Sequence, residues 1–202
     1  MSFRKENKYR LSIGDMALLK SRLKKFGMQQ LYPNRVINSC YFDNNNFDSY
    51  RESEESVVPR KKIRIRWYNQ ETNFKKEVKI TSNEGRYKYV KAKPELKNFN
   101  EVSNLNFLDN SYGIIKPSLV IKYQRSYYTY KSLRITFDEN ITYKSIMNNK
   151  NTIAHDNEVV AEIKVPINCS DDYIQTLIPL PISRFSKYSR GLVSLNCYMR
   201  YS

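Results

Sequence analysis

No stretch of this chain of 202 residues approaches the ~18 consecutive apolar residues of a membrane-spanning helix, so no span is expected. The start, Met1-Ser2-Phe3-Arg4-Lys5-Glu6, has charge but no apolar core behind it, which speaks against a secretory signal and for a cytoplasmic chain. Cysteine is scarce: Cys40, Cys169 and Cys197 are scattered without metal-ligand spacing and read as reduced thiols. The lone histidine, His155, stands beside Asp156 in a polar stretch and reads as an exposed bystander with no catalytic role. A G-x-x-x-x-G-K-[ST] run is absent, which excludes a P-loop mechanism. Only five glycines against seventeen tyrosines suit a protein of long, regular strands. There is no internal repeat and no linker, so residues 1–202 are expected to form one domain.

What the chain has in excess is positive charge. A net charge of +15 and a pI near 9.6 call for a polyanionic partner: nucleic acid, an acidic membrane surface, or a phosphate-rich molecule. The charge is patterned. In Arg60-Lys61-Lys62-Ile63-Arg64-Ile65-Arg66-Trp67-Tyr68, alternation puts Arg60, Lys62, Arg64 and Arg66 on one face of a strand. Ile63, Ile65 and Trp67 take the other. Like charges at neighbouring same-face positions repel, so such a face calls for a multiply charged anion.

The same pattern recurs along the chain. Phe3 to Leu11 reads as a strand with Arg4, Glu6 and Lys8 on one side. Ser12 and Asp15 then open a helix over about 13–26, with Met16, Leu19 and Leu23 at helical spacing and Gly27 as its stop. Val36 to Asp43, Asn73 to Ile80, Arg86 to Val90, Leu119 to Tyr130, Arg134 to Asp138 and Glu158 to Pro166 read as further strands. Short helices are expected around Phe47–Arg51, Glu101–Leu108 and Asp171–Leu177, a loop over 148–156, and a basic turn and last apolar strand over 184–201. The fold class is therefore α+β, mainly antiparallel β: about eight strands and a few covering helices. Because so many strands are charged on one side, the expected form is a closed, tunnel-like barrel. Lys62, Arg64 and Arg66 would point inward, and Ile63, Ile65 and Trp67 toward the covering layer.

Collected, the same-face charges are mostly basic with a carboxylate minority. Arginine grips phosphate oxygens bidentately and lysine acts as a point charge. Carboxylates among them make sense if a hard divalent cation, Mg²⁺ or Mn²⁺, bridges carboxylate and phosphate oxygens. At this point the chain resembles a known family, the VTC domain, the polyphosphate-polymerase branch of the triphosphate tunnel metalloenzymes. The resemblance rests on Arg4-Lys5-Glu6-Asn7-Lys8-Tyr9, Ser39 to Asp43, Arg60 to Arg66, Glu77-Val78-Lys79, Tyr123 to Tyr127, Leu133 to Asp138, Glu162-Ile163-Lys164 and Phe185 to Ser189, in the family's order. One departure is Arg4, which stands where the wider superfamily opens its Glu-x-Glu-x-Lys motif, and it favours the VTC branch.

The resemblance implies an antiparallel tunnel holding a triphosphate. It makes Lys62, Arg64, Arg66, Lys79, Arg125, Arg134 and Lys187 the phosphate-handling residues, with Arg4, Lys8, Tyr41, Lys164 and Ser189 as further substrate contacts. Glu162 is the implied metal ligand, with Glu6 and Glu77 as additional candidates. The implied chemistry is metal-dependent cleavage of phosphoanhydrides, most specifically transfer of the terminal phosphate of ATP to a polyphosphate chain. Two alternatives stay open: hydrolysis of a triphosphate, and binding of polyphosphate or nucleic acid without chemistry. Tyrosines interleaved with basic residues, as in Tyr87 to Tyr89 and Tyr123 to Tyr130, could stack single-stranded bases, yet strand packing explains them as well.

Overall fold

The computed structural model describes residues 4–93, 95–146 and 152–196, with the side chain of Arg4 excepted. Phe3, Cys197, residues 148–151 of the expected loop and the end of the expected last strand lie outside the described residues. In chain order the elements are β1 (Arg4–Leu11), α1 (Ile13–Lys25), β2 (Gln29–Asp43), α2 (Asp48–Glu54), β3 (Arg60–Tyr68), β4 (Lys75–Ser82), β5 (Gly85–Ala92), α3 (Phe99–Ser103), β6 (Phe107–Asp109), β7 (Gly113–Tyr130), β8 (Leu133–Ser145), β9 (Ile153–His155), β10 (Val159–Pro166), α4 (Asp171–Leu177) and α5 (Lys187–Ser194). Every strand pair with a described register is antiparallel. The mainly antiparallel α+β class expected from the sequence is what the structure shows.

The chain forms two compact units, and β2, β7 and β8 each contribute residues to both. The first unit comprises Met1–Arg35, Tyr123–Ile141 and Asp156–Phe185. Here β1 pairs with β10 and β10 with β8. Helix α1 starts where Ser12 Oγ accepts the Asp15 N–H at 3.0 Å while the Ser12 N–H donates to Asp15 Oδ2 at 3.3 Å, a reciprocal cap. It stops at Gly27, whose φ of +96° few other residues adopt readily. Between these ends Met16, Leu19 and Leu23 pack onto Tyr9, Leu11, Ile135, Phe137, Ala161, Ile163, Val165 and Ile174. Burying each such leucine contributes about 1.5–3 kcal/mol.

The second unit comprises Val36–Lys122, Thr142–His155 and Ser186–Ser202. Strands β2, β3, β4 and β5 pair in sequence order. Cys40, Phe42, Ile63, Ile65, Phe74, Val102 and Ile115 form its core, with Trp67 packed against it. Lys61, on the apolar side of β3, is accommodated by Asp109, whose Oδ1 lies 3.0 Å from the ammonium. Helix α2 has no side-chain cap of its own; Phe47 at its N-cap is in the left-handed region at φ 54°. Asp43, fully buried at the end of β2, supplies the missing acceptors: Ser49 N–H donates to Oδ1 and Tyr50 N–H to Oδ2, both at 3.1 Å.

Several boundaries differ from the sequence reading. β2 begins at Gln29 rather than Val36, so Pro33-Asn34 lies inside a strand; proline lacks only the donor, and Gln30 Nε2 bonds the Tyr32 carbonyl at 3.0 Å there. The helix expected over 101–108 is α3, capped by Asn98, and Phe107 instead packs against Phe42 from β6, the two rings tilted at 53°. Within the loop expected over 148–156, Ile153–His155 pairs with β8. The expected basic turn and last apolar strand are replaced over Lys187–Ser194 by α5. Ser186 caps that helix, and Tyr188, Ser189, Gly191 and Leu192 are buried at helical rather than alternating spacing.

Two outcomes are expected from this packing. A Cβ at Gly191 would lie 2.6 Å from both Leu119 Cδ2 and Tyr143 Cδ1, so Gly191→Ala should cost about 1–3 kcal/mol in a urea titration. Burial pushes the Asp43 carboxyl up to about 6, against the lowering effect of its donors Tyr188, Ser49, Asn44 and Tyr50. A carboxyl raised in the folded state holds a proton that the unfolded chain releases, so its contribution to stability falls as pH rises from about 4 to 6. Asp43→Asn removes that dependence. Its stability relative to wild type should therefore improve by roughly 3 kcal/mol between pH 4 and pH 7, and a constant difference would contradict the assignment.

Candidate functional site: two cationic sheet faces

In the second unit the face of β2–β5 opposite the core is a lattice of charge set by register. Lys62, Lys79 and Lys88 lie in one row across β3, β4 and β5. The next row is Tyr41, Arg64 and Glu77, and the next Ser39, Arg66 and Lys75. Repulsion along the lysine row is offset by one carboxylate. Glu77, only 4% exposed, has Arg64 Nη2 at 2.6 Å from Oε2, Lys88 Nζ at 2.6 Å from Oε1 and Arg66 Nη1 at 3.8 Å. Burial alone would raise its pKa, but Arg64, Arg66 and Lys88 bring it down to about 2. Both oxygens of Glu77 are thus taken by cations. We propose that it serves as counter-ion of these cations rather than as the metal ligand that the sequence offered.

The arginines are aimed as well as balanced. Arg64 Nη1 donates to the Tyr41 hydroxyl at 2.7 Å and Arg66 Nε to Ser39 Oγ at 3.1 Å. Burial would raise the Tyr41 pKa, yet Arg64, Arg66 and Lys62 lower it to about 8. Lys62 Nζ donates to Ser186 Oγ at 2.9 Å, the residue that caps α5. Lys187 follows as the first, half-buried residue of that helix. Ser189 is buried, and its hydroxyl makes no hydrogen bond among the described residues.

The first unit carries a second such face. Its rows are Glu6, Lys164 and Arg134, then Lys8, Glu162 and Thr136, then Arg10, Val160 and Asp138 across β1, β10 and β8. Buried Asp138 forms a two-point pair with Arg125, Nη2 to Oδ2 at 2.7 Å. Burial works against the charge on Arg125, but Asp138 and Glu162 hold it firmly protonated. Glu162 is 3.0 Å from Lys164 Nζ. Burial would raise its pKa; Arg125, Lys164 and Lys8 override that and lower it to about 2. Glu6 sits between Lys8 and Lys164, at 3.7 and 3.8 Å, and Lys8 Nζ also donates to the Phe185 carbonyl at 3.0 Å. The Arg134 guanidinium lies about 6 Å from the Tyr32 and Tyr127 rings.

The structure therefore gathers Glu6, Lys8, Arg125, Arg134, Glu162 and Lys164 on one face. On the other it gathers Tyr41, Lys62, Arg64, Arg66, Glu77 and Lys79, with Lys187 and Ser189 on α5. Arg4 occupies β1 opposite Pro166; its side chain is outside the described set. His155 is exposed on β9. Four participants were missed in the sequence: Lys88, Asp138, Asp43 and Ser186. Lys88 is found only by pairing β5 with β4, and Asp138 by noticing a carboxylate on the same face as Arg134.

Among the described residues no three His, Cys, Asp or Glu side chains come together. An all-protein metal cage is thus not what these residues form. They do fit a hard divalent ion that takes one carboxylate and fills its remaining positions with phosphate and water oxygens, the usual habit of Mg²⁺. Glu162 is the donor of the right kind, ionised and 12% exposed at its side chain.

Comparison with known proteins bears on the fold and the family. Solved structures that resemble the chain include a candidate adenylate cyclase from Vibrio parahaemolyticus, at 14% identity and a TM-score of 0.56, covering 95% of this chain and 98% of that one. Another is a candidate adenylate cyclase from Bacillus halodurans, at 14% identity and 0.58, covering 92% and 94%. A candidate adenylyl cyclase from Hippeastrum, described as having a dominant triphosphatase activity, aligns at 15% identity and 0.56 over 95% and 96%. These likenesses show a shared fold. No curated protein matches the sequence. The model of the VTC domain matches residues 3–196, and the chain belongs to the VTC domain family.

Proposed function

We propose that this protein is a metal-dependent enzyme of phosphoanhydrides, and that its reaction is transfer of the terminal phosphate of ATP to a growing polyphosphate chain. The observation that supports this most is Glu162: a carboxylate kept ionised among Arg125, Lys164 and Lys8 on an otherwise basic face. Such a carboxylate offsets the cations around it, and it is also the donor through which a divalent cation could be handed to phosphate oxygens. A triphosphatase relative by fold points to the same substrate class. Mg²⁺ or Mn²⁺, when bound, would supply charge neutralisation on the transferring phosphoryl group.

The protein's own residues then have defined tasks. On the face of the second unit Arg64 and Arg66 take phosphate oxygens, with Lys62, Lys79, Lys88 and Lys187 as mobile point charges; on that of the first unit Arg125 and Arg134 take them. Lys8, Lys164, Tyr41 and Ser189 complete the substrate contacts, with Arg4 kept in the same group on its sequence match. Glu162 holds the metal, with Glu6, its diagonal neighbour across β1 and β10, as the second carboxylate in reach of the face. Phosphoryl transfer needs alignment and charge stabilisation more than covalent help. A phosphate end is already ionised as acceptor, so no general base is required. Hydrolysis by the same residues, with water as acceptor, is the second reading, favoured by the triphosphatase relative.

Glu162→Gln keeps the shape and removes the charge. Turnover of ATP with Mg²⁺ or Mn²⁺ should fall by roughly two orders of magnitude or more, while metal-free tripolyphosphate binding survives. Arg64→Ala should instead weaken tripolyphosphate about 10- to 100-fold with or without metal, the value of a charge-assisted bond. With γ-labelled ATP, a ladder on a gel means transfer and free phosphate means hydrolysis. Unchanged ATP with every metal, or a Gln variant with full metal-dependent turnover, contradicts the proposal.

A further inference from the structure

Helix α5 is not held by its sheet contacts alone. The Tyr188 hydroxyl donates to Asp43 Oδ2 at 2.7 Å, on the same carboxylate that caps the N-terminus of α2. The Tyr188 ring, 1% exposed, lies stacked on Tyr41 with centroids 4.9 Å apart and planes within 12°. Tyr41 in turn receives the Arg64 guanidinium at 2.7 Å, with that group also 5.6 Å from its ring. On the β7 side, Ser118 Oγ donates to the Tyr41 carbonyl at 3.0 Å and lies 3.2 Å from the Tyr188 hydroxyl. One residue before Tyr188 is Lys187, and two before is Ser186, which accepts from Lys62. Gly191 lets this helix approach Leu119 and Tyr143 closely enough for the stack to form.

This chain of contacts is more than packing requires. A phenylalanine would fill the Tyr188 site, yet the structure spends a buried carboxylate there and ties α2, α5 and the Arg64 clamp to one point. We propose that Tyr188 is a positioning residue: anchored by Asp43 and stacked on Tyr41, it fixes the direction of Arg64 and the seat of Ser186 and Lys187 toward phosphate. The inference rests on the phosphoanhydride reading of the same face. Its content is that two residues outside the charged lattice set how tightly that lattice grips a compact polyanion. A guanidinium that swings freely loses the two-point geometry that makes arginine selective for phosphate, and a displacement near 1 Å is enough to matter at such a site.

The test is a set of titrations with inorganic tripolyphosphate at a temperature where melting curves show every variant folded. Tyr188→Phe should weaken binding about threefold, since it keeps the stack and loses the anchor. Tyr188→Leu should weaken it tenfold or more. A merely structural role would leave the affinity of folded protein unchanged, and it would not touch the effect of Arg64. The decisive readout is therefore coupling: in the Tyr188→Leu background, Arg64→Ala should cost much less than in the wild type. Should the Leu variant not fold, Tyr188→Phe and Asp43→Asn decide. Each should weaken binding about threefold, and the double variant by clearly less than the product of the two, because both remove the Tyr188–Asp43 hydrogen bond even though Asp43→Asn also alters the α2 cap. Wild-type affinity in the folded variants, or fully additive losses, overturns the inference. A wild-type protein that fails to bind tripolyphosphate would overturn the phosphoanhydride reading instead, so the two failures are told apart.

Discussion

Repulsion between basic side chains fixed on neighbouring strands is the constraint around which this structure is built. Lys62, Lys79 and Lys88 stand side by side because antiparallel register leaves them no other place. Each such pair costs roughly 1 kcal/mol at 4 Å in water and more where solvent is scarce. The fold offsets this with a few carboxylates placed deep in the lattice: Glu77 among Arg64, Arg66 and Lys88, Asp138 against Arg125, and Glu162 among Arg125, Lys164 and Lys8. None neutralises its surroundings fully. What remains on each face is net positive, with Arg64, Arg66 and Arg125 already held by hydrogen bonds and ion pairs, the preorganisation that the proposed phosphate binding calls for.

The same economy explains the architecture behind the faces. On β1, β2, β3, β8 and β10 the charged rows have apolar rows one residue away, so these strands send alternate side chains to the two cores. Helices too short to hold themselves are tied to this sheet: α2 by Asp43 from the end of β2, and α5 by Ser186 and Tyr188. Placement of Lys187 thus depends on buried contacts, although lysine itself is a flexible point charge.

Much of this was legible in the sequence because alternation is a local signal. Ile63, Ile65 and Trp67 declared one face of β3 and Lys62, Arg64 and Arg66 the other, and α1 was announced by Ser12, Asp15 and Gly27 within about one residue at either end. The ordered motifs pointed to the family that the residues 3–196 match confirms. What stayed hidden depends on partners distant in the chain. That Glu77 lies among Arg64, Arg66 and Lys88 follows from register with β3 on one side and β5 on the other. The last segment looked like a strand because Tyr188, Leu192 and their neighbours are β-prone; helix wins because Ser186 can cap it and Gly191 alone fits against Tyr143. Asp43 read as a strand end, since nothing local reveals that it will cap α2 and receive Tyr188.

The central claim is that these faces are preorganised for a compact phosphoanhydride rather than for a long strand of nucleic acid. Calorimetric titration with tripolyphosphate and with a single-stranded oligonucleotide of equal charge, each at several salt concentrations, tests it most directly. Preorganised faces predict tighter binding of tripolyphosphate, surviving moderate salt, with the oligonucleotide weaker and falling steeply as counter-ions are released on its binding. Tighter binding of the oligonucleotide, or equal binding with the same salt slope, would contradict it.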